Sequence, residues 1–564
     1  MILSLSVIAI ISWLEPVQSL AAKRAPGNAA NACESIPPPK LPGIEVKAVS
    51  AAERYDIFVN IDDIYPTGVL PILGNPMKKN ATLHVCDVNV TYSHIGVDDT
   101  VIVHAYLPFE NWNGRFQAVG GGGFYASFGP PAVGPAAFHG YAAASSYTPD
   151  VADRFAAKPG VKESLLKPIT PLTDFGFAND ELINLGQWTD FASRGGLHEM
   201  AVIGKAVTES FYGIAPKYSY YTGCSTGGRQ GYTFVQRYPH DFDGVLANAP
   251  GIYWNSVMFS FIWPMVPMIE AKTFLTQCQL EAFDKGFISE CDKLDGVIDG
   301  VVSDINHCPF DPSSMVGLTL PCDGREWTIT QKEADVVRKI HAGVVTKTGR
   351  KLWFGYEYGT TFSIVNTTML PDGTIIGGPN SISSTWIPFF LQGNTSVNVM
   401  DLNVDEIVEL FAQSGIQWGG SMGTDIADIS AFRDAGGKLL TWHGMADENV
   451  PPNGTVLYRT QVEDILGGNK LVNEWYRVFL APGVGHCSSR NDYGPVPVDS
   501  FAALVDWVEK GIAPETLPAA YKDADGTEWS KNLCPFPKVS RYDGEGDPTL
   551  ASSYSCADSY VGEG

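Results

Sequence analysis

The chain has ten cysteines but no C-x-x-C pair, so it lacks the spacing of zinc ribbons and thioredoxin-type redox sites. Basic residues are scarce: 38 Lys and Arg stand against 62 Asp and Glu, a formal net charge of −24. Such an excess argues against nucleic acid and anionic membranes as partners. No apolar run reaches, unbroken, the roughly 20 residues that a bilayer-spanning helix needs. The opening stretch "MILSLSVIAIISWL" is stopped by Glu15 and Pro16, and "IYWNSVMFSFIWPMVPMIE" is interrupted by Asn255, Pro264, Pro267 and Glu270. No internal repeat and no low-complexity segment stands out, which sets aside solenoid architectures. What is left is ordinary globular chemistry. With 564 residues, 45% hydrophobic and 18% charged, the chain suffices for a large core or two packed domains.

The first 22 residues read as a signal peptide: an apolar run, without a basic n-region, then small residues around Ser19 to Ala22. Lys23-Arg24 offers a second, dibasic processing point. Five N-x-S/T sequons begin at Asn80, Asn89, Asn366, Asn394 and Asn453. Together with an even cysteine count they predict a secreted, disulfide-bonded glycoprotein.

Hydrophobic runs that end in glycine-rich or polar loops recur along the chain. "RFQAVGGGG" and "KYSYYTGCSTGG" read as strands, the second followed by a helix from Gly227 to about Tyr238. "FDGVLANAPG", "GGKLLTWHGMADENVPP" and "EWYRVFLAPGVGHCSS" supply three more strand-to-loop junctions. Alternating strands and helices predict an α/β fold with a parallel sheet covered on both faces. Between 250 and 430 the pattern changes to an aromatic segment with four cysteines and two sequons. That segment is expected to be an inserted lid. Residues 23–249 and 431–564 are then the two parts of a catalytic domain.

Gly223-Cys224-Ser225-Thr226-Gly227 lies between a strand and a helix, the setting of a nucleophile elbow. In an α/β-hydrolase the acid and then the histidine follow the serine in chain order. Asp447 and His486 meet that requirement, each just past a predicted strand. Ser225 would attack, His486 would take its proton, and Asp447 would hold the imidazole tautomer. Glu448 is read as a solvated loop charge, and His443 as orienting the loop rather than serving as base. The tetrahedral oxyanion needs two donors. The backbone N–H of Thr226 is one candidate, and the glycine loop, at Gly122 and Gly123, supplies the other.

The cysteines beside the triad are explained by the same geometry. If Ser225 and His486 touch, Cys224 and Cys487 are neighbours, within the roughly 4.4–6.8 Å Cα separation that a disulfide requires. Two separate buried thiols are the alternative.

This Cys-Ser, Asp, His-Cys arrangement resembles the tannase and feruloyl esterase family. The likeness rests on "GCSTGGRQGY", "HGMADENVP", "GVGHCSS" and "CDKLDGVIDGVVSD", and it runs from Cys33 to Cys556. It implies an α/β-hydrolase fold with an inserted lid, and hydrolysis of small or plant cell-wall esters of phenolic acids. Feruloyl esters are the first expectation and galloyl esters the runner-up. Peptide cleavage and a catalytically dead binding protein are further alternatives. The resemblance also implies a structural calcium in the lid. Asp292, Asp295 and Asp299 would give carboxylates, Val297 and Val301 backbone carbonyls, a set suited to a hard cation. Cys291 and Cys308 bracket that segment and are expected to pair. The remaining cysteines are assigned by elimination and nearness as Cys278–Cys322, Cys534–Cys556 and Cys33–Cys86, although connectivity is not fixed by sequence.

Overall fold

A computed structural model describes residues 29–59, 80–96, 100–124, 126–127, 129–147, 195–394, 396–488, 493–523 and 525–558. The expected signal peptide and the Lys23-Arg24 site lie outside the described residues.

Nine strands form one sheet: β1 (Ile44–Val59), β2 (Ala81–His94), β3 (Val101–Pro108), β4 (Arg115–Val119), β5 (Ala142–Tyr147), β6 (Tyr218–Cys224), β7 (Gly244–Asn248), β8 (Lys438–Gly444) and β9 (Tyr476–Ala481). Their spatial order is β1-β2-β3-β5-β4-β6-β7-β8-β9. From β5 to β9 every pairing is parallel. At the other end β1, β2, β3 and β5 pair antiparallel, so the sheet is mixed rather than wholly parallel. The cause is visible in burial. β1 is exposed or half-exposed at nearly every position, whereas β7 is buried throughout. Antiparallel strands tolerate a wet face; parallel ones are covered on both.

Side chains alternate across the parallel strands, as a pleat with a period of two requires. Tyr221, Val245, Leu439 and Val478 join one core, and Tyr220, Leu246, Leu440 and Phe479 the other. The first core is closed by α2 (Gly195–Tyr212), α3 (Thr226–Arg237) and α4 (Asn453–Leu466), the second by α1 (Pro130–Phe138) and α5 (Ser500–Lys510). Helices on both faces of this sheet make the α/β-hydrolase fold.

The chain between β7 and β8 packs around two further apolar clusters. One gathers Trp254, Phe259, Trp386, Phe390 and Leu410; the other gathers Phe283, Phe287, Val337, Ile340 and Phe362. The aromatic stretch after Pro250 is buried there in two short helices, Trp254–Ser260 and Met265–Ala271. Among the described residues no helix is long and apolar enough to cross a membrane.

Candidate active site

Ser225, Asp447 and His486 each follow the carboxyl end of a parallel strand, β6, β8 and β9 respectively. The parallel run β6-β7-β8-β9 therefore delivers all three loops to one edge of the sheet, the usual location of a site in this class. The turn at Ser225 is sharp and strained, with φ 63° and ψ −122°. Glycine is required on either side of it. A Cβ at Gly223 would lie 2.6 Å from backbone atoms of Gly227, and one at Gly227 would lie 2.7 Å from the Gly121 carbonyl. The Ser225 N–H donates to Asn248 O at 3.0 Å, which ties the elbow to β7. Strain of this kind persists only where its surroundings over-determine it.

Asp447 is fully buried and its carboxylate is crowded with donors. Backbone N–H groups of Asn449 and Val450 donate to Oδ1 at 2.8 and 2.7 Å. His486 Nδ1 lies 2.8 Å from Oδ2 and 3.0 Å from Oδ1, and His443 Nε2 lies 3.1 Å from Oδ2. Burial opposes the charge of Asp447, but the facing histidines outweigh it and hold the carboxyl well below the usual range. The same pairing acts on His486, where burial would lower the pKa and the Asp447 charge more than restores it. No hydrogen bond joins Ser225 Oγ to His486 Nε2 in this structure. Such contacts tighten when substrate binds.

Glu448 corrects one expectation. It is not solvated but 3% exposed, and its Oε2 accepts the backbone N–H of His486 at 3.0 Å. Burial and the neighbouring Asp447 charge push its pKa up. The adjacency of two acids in "MADENVP" shows that both carboxylates share one turn; it gives no sign that the second is folded inward.

Cys224 and Cys487 are bonded in the structure, Cα to Cα 6.0 Å, across 263 positions of chain. The two flank Ser225 and His486 and bury against Ala249. Cys33–Cys86, Cys278–Cys322, Cys291–Cys308 and Cys534–Cys556 are bonded as well, so no described cysteine is free. The glycine loop is fastened to the elbow by two bonds. Gly227 N donates to Gly121 O at 3.0 Å, and the Thr226 hydroxyl donates to Gly123 O at 2.5 Å. The backbone of Gly122 and Gly123 is thereby held beside the first residue of α3.

Directly after the glycines comes Phe124, which stacks on Phe390 and meets Trp254 edge-on. Phe390 belongs to a π-helical turn, Trp386–Leu391, and stacks on Trp386. π-helical turns concentrate at functional sites. Sequence patterns had no access to this wall, because its members are far apart in the chain.

The acidic segment is built differently from a solvated loop. Asp292, Asp295 and Asp299 are all buried. Their carboxylates accept backbone N–H bonds from Gly300, Val297 and Val301, each at 3.0 Å. Lys531, 1% exposed, brings its ammonium to 2.5 Å from Asp299 Oδ2, and the Tyr521 hydroxyl donates to the same oxygen. Among the described residues, no choice of one oxygen from each of these three carboxylates brings all three within 4.8 Å of one another. Of the sequon asparagines, Asn80, Asn366 and Asn394 are exposed. Asn89 accepts a bond from Tyr147, and Asn453 donates to the half-buried Glu357.

The family model for tannase and feruloyl esterase matches residues 86–557. The chain belongs to this family. Over 533 residues it is 41% identical to a probable feruloyl esterase of Arthroderma benhamiae, with 93% of each chain covered. It is 26% identical to a tannase of Aspergillus oryzae, covering 85% of this chain and 86% of that one. Among solved structures, the tannin acyl hydrolase of Aspergillus niger superposes with a TM-score of 0.80 at 24% identity, covering 94% of both chains. Feruloyl esterase B of Aspergillus oryzae superposes with a TM-score of 0.70 at 24% identity, covering 94% of this chain and all of that one. The family is one of carboxylic ester hydrolases, and so is this protein.

Proposed function

We propose that this family member is a secreted feruloyl-type esterase that works through an acyl-serine intermediate. The observation that carries the acyl preference is the 41% identity to the probable feruloyl esterase of Arthroderma benhamiae, over 93% of both chains. Phe124, next after the glycine loop, packs in a buried aromatic cluster with Phe390, Trp254 and Trp386, apolar material from which an acyl site beside the loop would open.

In this mechanism Ser225 Oγ attacks the ester carbonyl while His486 Nε2 takes its proton. The oxyanion is received by backbone N–H groups of Thr226 and of Gly122 or Gly123. Collapse breaks the carbonyl–alkoxide bond, and His486 returns the proton to the leaving alcohol. Water then attacks the acyl-serine with His486 again as base; the carbonyl–Oγ bond breaks, His486 returns the proton to Ser225 Oγ, and the acid leaves. Five disulfides suit an oxidising, extracellular compartment. For the acidic segment, three buried carboxylates are the hard oxygen donors that calcium takes, and Asp292, Asp295, Asp299 and the carbonyls of Val297 and Val301 would hold it once the carboxylates close around the ion. Its role there is structural.

A panel of methyl ferulate, caffeate, sinapate and gallate tests the reading. The cinnamates should exceed gallate in kcat/KM by at least tenfold. Phe390→Ala should lower the ferulate value about tenfold, the worth of one aromatic contact. Gallate as the best substrate would replace this reading with the tannase one.

A further inference from the structure

Asp447 is shared between two imidazoles, and the usual roles account for only one of them. His443 closes β8 and is fully buried. Its Nε2 faces two acceptors, Asp447 Oδ2 at 3.1 Å and the Val450 carbonyl at 3.0 Å. An imidazole nitrogen between two acceptors must carry a proton, so Nε2 is a donor. Its Nδ1 lies 2.8 Å from the hydroxyl of Thr455, itself 1% exposed, on the first turn of α4. The Thr455 hydroxyl, which can donate or accept, pairs with Nδ1. Both ring nitrogens are satisfied, and the ring plane is fixed from the side away from the reaction.

We infer that His443 is a positioning residue of the catalytic machinery, acting through Asp447 and anchored by Thr455. The inference rests on the triad assignment given above. Two backbone N–H groups pin Oδ1, whereas Oδ2 is shared between His443 and His486. A donor on Oδ2 does two things. It fixes the rotation of the carboxylate about its bond, and it draws negative charge away from the oxygen that faces His486. The second effect sets how strongly Asp447 stabilises the imidazolium, and therefore where His486 titrates. The other ionisable groups bearing on this pair are Glu448 on the same loop, His486 on the loop after β9, and Tyr356 from the chain between β7 and β8, whose ionisation is opposed first by burial and then by the charges of Asp447 and Glu448. The sequon Asn453-Gly454-Thr455 thus holds one side chain bonded to His443 and another bonded to Glu357.

The test is the pH profile of kcat/KM with p-nitrophenyl acetate, a substrate that makes the readout independent of acyl preference. His443→Leu should lower kcat about ten- to a hundredfold, the usual cost of misplacing a catalytic group by about 1 Å, with KM within twofold. Its acidic limb should move to higher pH, because Oδ2 without its donor holds the His486 proton more firmly. His443→Gln, which keeps a donor near Nε2, should recover most of the rate and the limb. Thr455→Val should move the limb in the same direction by less. Profiles repeated in a Glu448→Gln background take the neighbouring carboxyl out of the acidic limb. An unshifted limb in both His443→Leu and Thr455→Val overturns the inference, as does a His443→Gln protein no better than the leucine variant. If the leucine variant does not fold, Thr455→Val alone decides. Full activity in Ser225→Ala would instead remove the triad on which the inference stands.

Discussion

Asp447 has no solvent to share its charge, so its ionisation depends on what donates to it. The depressed pKa gives a stability dependence of definite sign. Ionised Asp447 contributes stability above its unfolded pKa, near 3.8, and loses that contribution as pH falls through the lower folded value. His486 acts oppositely: its raised pKa adds stability below 6.5 and loses it as pH rises through the folded value. In the proposed mechanism His486 must be neutral to take the Ser225 proton, so the acidic limb of kcat/KM should lie above pH 6.5, the unperturbed value. A limb below that value in the free enzyme would contradict the pairing. Asp447→Asn should keep the fold and lose roughly 10⁴-fold in kcat through the wrong imidazole tautomer, measured beside its circular dichroism spectrum. If that variant keeps near-normal rates, Glu448 is the acid. Ser225, Asp447 and His486 were legible because each stands at a strand end in a fixed chain order. Glu448 was not, because whether a loop carboxylate turns inward depends on the His486 backbone that it meets 38 positions away.

At the level of elements, the loops that carry the site end strands whose hydrophobic period shows in the sequence. The antiparallel flank of β1 to β3 and the π-helical wall do not announce themselves, since their character comes from what packs on them. The acidic segment after the helix Gln277–Cys291 is legible only in part. Its three carboxylates are local, but Lys531 arrives from strand Glu528–Leu533, more than 200 residues downstream. One ammonium faces one of the three buried carboxylates, and under the calcium proposal the ion would offset the other two. Chelation, or Asp295→Ala with Asp299→Ala, should therefore lower the melting temperature while kcat of the folded protein changes little, because an ion bound only to the native state stabilises it by mass action. Metal analysis finding no calcium, with no change in melting on chelation, would remove the site.

For the molecule as a whole, the question is what keeps two distant loops in register while a large insertion folds between them. Cys224–Cys487 closes a loop of 263 positions that contains the entire segment between β7 and β8. In the chain-entropy model such a loop stabilises by on the order of 5 kcal/mol, an upper figure because Cys278–Cys322 and Cys291–Cys308 already constrain the unfolded chain inside it. The catalytic consequence has a separate origin. The bond fixes the residues immediately before Ser225 and after His486; with these as the proposed nucleophile and base, a shift of about 1 Å between them costs roughly a hundredfold in rate. Cys224→Ala, Cys487→Ala and the double variant should thus lose activity to a similar extent, since each breaks the same bond. Their melting temperatures should fall together for the same reason. Two independently packed thiols would behave otherwise, with additive losses in the double variant. A non-reduced digest examined by mass spectrometry reads the bond directly. Free thiols at both positions, or different partners, would mean that the register of Ser225 and His486 is held by the sheet alone.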